Sequence, residues 1–128
     1  MEKLLIKYNE YADLIGESYQ GAQMKLRVVK GVTPGREFEI VDGLNLLGRS
    51  FDANECHIID LSDEDTDEKI SRRHAVIEKN GALLTIKDLG SLNGTYVNST
   101  ERLDEGAEIG LEEGDKIMLG RTALVVTK

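Results

Sequence analysis

Three short clusters in the chain carry the side chains that chemistry would need: Gly48-Arg49-Ser50, Ser71-Arg72-Arg73-His74 and Gly90-Ser91-Leu92-Asn93-Gly94-Thr95. Together they supply the groups that a phosphate monoester demands. Arginine guanidinium forks match phosphate oxygens bidentately and stay charged at any working pH. A serine hydroxyl and nearby backbone N–H groups complete the oxygen shell. Asn93 offers both a donor and an acceptor, which suits the main chain of an extended peptide. Taken singly, each cluster has a plainer meaning. Asn93-Gly94 is the strongest short hairpin signal, and Ser71 to His74 reads as a solvated strand start. Their joint occurrence points to an anion site.

Other chemistries fit poorly. Cys56 and His57 are adjacent, so on a strand they face opposite ways, which is wrong for a nucleophile and its base. The chain is therefore read as non-enzymatic. Asp63, Asp65 and Asp67 mimic the first half of a calcium loop, but its sixth position is Glu68 instead of glycine and its twelfth is His74 instead of glutamate. No metal and no cofactor are expected.

The elements that must position these clusters follow from periodicity. Leu4, Tyr8, Tyr11 and Ile15 recur at helical spacing before Gly16 and Gly21 break the pattern. Residues 1–23 thus read as an extension: a short amphipathic helix and a linker, packed on the domain or docking a partner. From Met24 to Lys128 the period is two. Strands are predicted at Lys25 to Lys30, Arg36 to Val41, Leu44 to Gly48, His57 to Leu61, His74 to Lys79, Leu83 to Leu89, Thr95 to Asn98, Lys116 to Leu119 and Ala123 to Thr127. Many short strands broken by Gly and Asn/Asp turns indicate an all-β sandwich or barrel. Each cluster borders a predicted strand, so all three can meet on loops at one end. Residues 61–68 carry five carboxylates and no base, and residues 101–115 carry seven acids and one base. Both are predicted to be solvated, the first as a loop and the second as a surface face.

Composition sets the outer limits. The chain has 128 residues, enough for one domain with an ordinary core. With 40% hydrophobic and 31% charged residues it is predicted to be globular, and its apolar runs are too short to cross a bilayer. The net charge of −8 argues against nucleic acid and anionic membranes as partners. The N-terminus lacks the apolar stretch of a signal peptide, and the single cysteine suggests a reducing compartment. A cytoplasmic protein is expected.

The order GR, SRRH and GSLNGTYVN is similar to the signature of the forkhead-associated (FHA) domain, and GDKIMLG at Gly114 to Gly120 resembles the approach to its closing strand. The wording of these motifs is closest to that of bacterial members. The resemblance implies an eleven-stranded antiparallel β-sandwich that recognises phosphothreonine peptides. It implies that Arg49 clamps the phosphate, that Ser71 hydrogen-bonds a phosphate oxygen, that Arg72 adds a further contact and that Asn93 holds the peptide main chain. Gly48, His74 and Gly94 match framework positions, with His74 bracing the binding loops. Arg73 is left out of the site, on the argument that an alternating strand turns it away from Arg72. Leu92 stands where relatives often carry a hydroxyl, so only its backbone N–H is expected to serve the ligand. Lys69, two before the serine, matches a position that in several members faces the third residue after the phosphothreonine. Ser71 stands 22 residues after Arg49, more than in compact members, and the surplus is the acidic segment. The partners implied are threonine-phosphorylated proteins and an upstream Ser/Thr kinase. The alternative is a domain that keeps the fold but works through another surface or its N-terminal helix.

Overall fold

A computed structural model describes residues 23–49, 56–65, 68–99 and 102–128. The helix predicted near the N-terminus lies outside the described residues. Strands β1 (Met24–Lys30), β2 (Glu37–Ile40), β3 (Gly43–Gly48), β4 (His57–Asp60), β5 (Ala75–Asn80), β6 (Leu83–Asp88), β7 (Thr95–Val97), β8 (Glu108–Leu111), β9 (Lys116–Leu119) and β10 (Thr122–Thr127) form two five-stranded sheets. One runs β2-β1-β10-β9-β7 and the other β4-β3-β5-β6-β8.

The period of two does what it should. Met24, Leu26 and Val28 of β1, Ala75 and Ile77 of β5, and Leu84 and Ile86 of β6 all face inward, with more exposed residues between them. Leu47, Ile59, Ile117, Leu119 and Leu124 join them in one core cluster that is closed to solvent. Each fully buried aliphatic side chain contributes about 1.5–3 kcal/mol, so the alternation sets which face of each strand turns inward. One polar residue is built into this interior. Asn45 accepts from Val41 N–H at 2.9 Å and donates to the carbonyls of Val41, Gly43 and Ile77, which locks the β2–β3 turn onto β5.

The all-β sandwich agrees with the sequence reading, and three details differ. Ten strands occur among the described residues where the resemblance implied eleven; beyond their ladders one isolated bridge pairs Asp88, at the end of β6, with Glu105, too little for a further strand. The pairs are antiparallel except β3 with β4, which run parallel from Asn45 beside His57 to Gly48 beside Asp60. Strand β8 lies inside the acidic stretch that was read as a solvated face. It is an edge strand with only Leu111 buried and Ile109 half-buried, so its hydrophobic signal is faint.

The larger correction concerns residues 61–68. Leu61, Glu64 and Asp65 are buried, at 0, 3 and 6% exposure, so the segment is solvated only in part, at residues such as Asp63 and Glu68. The two buried carboxylates, Glu64 and Asp65, are spent on donors. A carboxylate can leave water only where hydrogen bonds replace its hydration. Glu64 Oε1 accepts from Thr33 N–H at 2.8 Å, and its Oε2 accepts from Arg36 Nη1 at 3.2 Å. Thr122 Oγ1 donates to the Glu64 carbonyl at 3.1 Å. Glu64 thus ties the β1–β2 turn and the start of β10 to the segment that follows β4. Glu64→Ala should lower the unfolding free energy by about 1–3 kcal/mol, because Thr33 N–H loses its acceptor. Asp63→Ala, at a solvated neighbour, should leave the urea midpoint unchanged. Equal midpoints for the two variants would contradict the strap.

Candidate functional site

The loops that follow β3, precede β5 and join β6 to β7 converge at one end of the sandwich. Gly48 permits the convergence. A Cβ built on it would sit 2.0 Å from the Arg72 carbonyl oxygen and 2.9 Å from that of Ser71, so only glycine lets the β5 loop lie against β3. The contact is sealed by Arg49 N–H donating to Ser71 O at 3.3 Å and His74 N–H donating to Leu47 O at 3.0 Å.

His74 joins the second loop to the third. It is fully buried, and Ser71 N–H donates to its Nδ1 at 3.0 Å while its Nε2 lies 2.8 Å from the Gly94 carbonyl. A main-chain N–H can only donate and a carbonyl can only accept, so Nδ1 must be bare and Nε2 must carry the proton. A second proton would set donor against donor at Ser71. Burial lowers the His74 pKa from the usual 6.5, outweighing the Gly94 bond that pulls the other way.

The third loop is wound around Asp88, a residue that the motif reading missed. Its Oδ1 accepts from Ser91 Oγ and Thr95 Oγ1, both at 2.6 Å, and its Oδ2 accepts from the N–H groups of Gly90 and Ser91. Burial alone would raise its pKa, but these four bonds hold the carboxylate below its ordinary value. Ser91 Oγ in turn accepts from Gly94 N–H at 3.0 Å. Arg102 closes the outside, donating to the carbonyls of Ser91 at 2.7 Å and Leu92 at 3.4 Å. It is the lone base of the second acidic stretch, and its neighbour Leu103 is bonded to Thr95. Alternation and charge counts carry no signal for such a clasp.

The predicted site residues fall as follows. Arg49 turns its Nε inward, donating to Ile70 O at 2.6 Å with Asp65 Oδ2 at 3.6 Å. Its two terminal nitrogens have no acceptor among the described residues. Ser71 Oγ accepts from Leu92 N–H at 3.1 Å, which leaves the hydroxyl proton available to a ligand. The same bond corrects the expectation for Leu92, whose N–H serves Ser71 and whose side chain is 80% exposed. Asn93 Nδ2 donates to Lys69 O at 2.8 Å, keeping its carbonyl oxygen and one N–H for other partners. Arg72 and Arg73 are both exposed, and β5 begins only at Ala75, so strand alternation does not separate them. Beside Asn93 lies a cleft of about 320 Å³ lined by Lys69, Asn93, Tyr96, Gly120 and Arg121. Tyr96 and Arg121 were not anticipated there. Gly120, at φ +59°, lets the β9–β10 turn approach, since a Cβ would come within 2.7 Å of Lys69 Cβ. The arrangement can receive a compact dianion on Arg49 and Ser71, and an extended chain on Asn93.

Comparison with known proteins identifies the family. The family model of the FHA domain matches residues 45–120. The chain is 34% identical over 92 residues to the FHA domain-containing protein FhaA of Mycobacterium tuberculosis, a match covering 72% of this chain and 15% of that protein. It is 44% identical over 59 residues to the oxoglutarate dehydrogenase inhibitor of Corynebacterium jeikeium, covering 46% of this chain and 38% of the inhibitor. The matches therefore span well under half the length of either relative. A solved structure from a study of phosphothreonine-dependent FHA domain interactions superposes with a TM-score of 0.63 at 31% identity, covering 83% of this chain and 96% of that one.

The His74 bridge carries a pH signature. Because the folded state holds the ring neutral below its ordinary pKa, its contribution to stability is complete above about pH 6.5 and is lost as pH falls toward the lowered native value. An NMR titration of the ring should find the Nε2–H tautomer at neutral pH and protonation only below 6.5. Titration at or above that value would contradict the bridge.

Proposed function

This chain belongs to the FHA-domain family, and on that premise we propose that its three-loop end binds threonine-phosphorylated peptides. The observation that carries the reading is the posture of Arg49. Its Nε is committed to the main chain and to Asp65, so the guanidinium is tethered with its terminal nitrogens bonded to none of the described residues, and its own main-chain N–H is bonded to the Ser71 carbonyl. A preset fork loses little side-chain entropy when it takes a phosphate bidentately. Arg72 adds positive charge from the next position, and Asn93 grips the peptide main chain. Threonine should be preferred to serine by the burial of one methyl group, worth roughly 0.8 kcal/mol. His74, the imidazole at the site, is buried with both nitrogens bonded, so it is not placed to exchange protons with a ligand. The work is recognition.

In this reading residues 24–128 form the binding module and residues 1–23 an appended packing or docking segment. Its partners are proteins phosphorylated on threonine by a Ser/Thr kinase, in the cytoplasm, where the lone Cys56 stays reduced. Two relatives bear regulators' names, the oxoglutarate dehydrogenase inhibitor and the glycogen accumulation regulator GarA, which supports a role in signalling.

Two outcomes are expected. Arg49→Ala should remain folded and lose roughly 2–5 kcal/mol of affinity for a phosphothreonine peptide in calorimetric titration, the cost of truncating one partner of a buried charge pair. Native affinity in the folded variant would overturn the reading. Lys69 lines the cleft beside Asn93, where an acidic ligand side chain downstream of the phosphate would pair with it. An Asp at the third position after the phosphothreonine should therefore be favoured over Lys by about 0.2–1 kcal/mol. Lys69→Glu should reverse that order, and an unchanged ranking would remove Lys69 from ligand selection.

A further inference from the structure

We infer that Asp65 is a positioning residue for the anion site, holding Arg49 and the main chain before Ser71 in the geometry a phosphate requires; the inference rests on the phosphopeptide reading above. Asp65 belongs to the acidic segment and lies outside the three clusters that mark the anion site. Its side chain is 2% exposed. Oδ1 accepts from Lys69 N–H and Oδ2 from Ile70 N–H, both at 2.9 Å. Oδ2 also lies 3.6 Å from Arg49 Nε. The carboxylate is therefore a fixed part of the frame.

What it holds is the framework of the site. The peptide group that gives Ile70 N–H to Asp65 also gives Lys69 O to Asn93. The next peptide group gives Ile70 O to Arg49 Nε and Ser71 N–H to His74. Asp65 fastens the first of these groups directly and the second through their shared Ile70, which is itself buried in the core. Glu64, one residue earlier, anchors the segment to Thr33 and Arg36 in the β1–β2 turn of the opposite sheet. A displacement of Asp65 would reach Arg49, Ser71 and Asn93 together.

Geometry and electrostatics predict opposite signs here. A carboxylate beside an arginine that receives a dianion repels the ligand, so charge alone says that Asp65→Asn tightens binding. An asparagine, however, has one acceptor oxygen and turns an NH2 toward the second main-chain N–H. That N–H loses its partner and meets another donor. Positioning predicts weaker binding, about 10- to 100-fold for a displacement near 1 Å.

The test uses the full chain, a degenerate phosphothreonine peptide library and its unphosphorylated counterpart, with binding read by fluorescence anisotropy. Arg49→Ala serves as the control for the site and Asp63→Asn for the charge, because Asp63 belongs to the same segment with its side chain 85% exposed. Hydrogen exchange of the Arg49 Nε–H in the free protein supplies a readout that needs no ligand. The expected result is that Asp65→Asn binds about 10- to 100-fold more weakly and loses protection at Arg49 Nε–H, while Asp63→Asn binds as well as the native chain or better. Native or tighter binding by Asp65→Asn, or an unchanged Nε–H, would overturn the inference and leave the phosphopeptide reading in place. Absence of binding by the native chain would remove that reading, and the Nε–H exchange would still judge the role of Asp65. Should Asp65→Asn not fold, Asp65→Glu replaces it, keeping the charge but moving the carboxylate by one methylene. Weakened binding with a shifted Nε–H signal supports the role, and native values for both overturn it.

Discussion

Two consecutive peptide groups, Lys69–Ile70 and Ile70–Ser71, are the joint on which the candidate site depends. The first is held by Asp65 and Asn93, the second by Arg49 and His74. Each of these four side chains comes from a different part of the chain: the residue after β3, the acidic segment, the residue before β5 and the β6–β7 loop. A backbone N–H or C=O left buried without a partner costs free energy comparable to a lost hydrogen bond, so the four contacts specify one another's positions. Gly48 admits the whole stretch against β3, and the Asp88 network keeps Gly94 where His74 can reach it. The site is thus a property of main-chain satisfaction first and of charge second.

That order matters for selectivity. The chain carries a net charge of −8, so its overall field does not draw anions in. Arg49 is flanked by Asp65, which takes up part of its field. Beyond a Debye length of about 8 Å, surface charges are largely screened at physiological salt. A ligand must therefore reach the preset guanidinium and the Ser71 hydroxyl at contact distance to gain from them. A single phosphate on an extended peptide can do so, and the net charge of −8 disfavours a polyanion.

Much of this was legible in the sequence, for identifiable reasons. Strands with one solvated face announce themselves by period two, and β1, β5, β6 and β10 were located to within a residue or so. Arg49, Ser71, Asn93 and His74 stand in short motifs, GR, SRRH and GSLNG, whose residue types are readable without the fold. Strand β8 escaped because an edge strand with two apolar residues looks like a charged turn. Glu64 and Asp65 escaped because a carboxylate read from composition is assigned to water, and only the fold reveals the N–H groups that take water's place. Asp88 escaped because its partners Gly90, Ser91 and Thr95 are local but lie in a loop, and Arg102, Tyr96 and Arg121 join the site through contacts between elements; periodicity encodes neither.

The central claim is that one rigid three-loop end receives the phosphate. A titration of the 15N-labelled chain with a phosphothreonine peptide, followed residue by residue, tests it most directly. The account predicts that amide shifts concentrate at residues 47–49, 69–74 and 89–95, that the Arg49 side-chain signals move with them, and that the unphosphorylated peptide leaves all of these unmoved. Shifts of equal size from the unphosphorylated peptide, or shifts gathered on another face while Arg49 and Ser71 stay still, would contradict it.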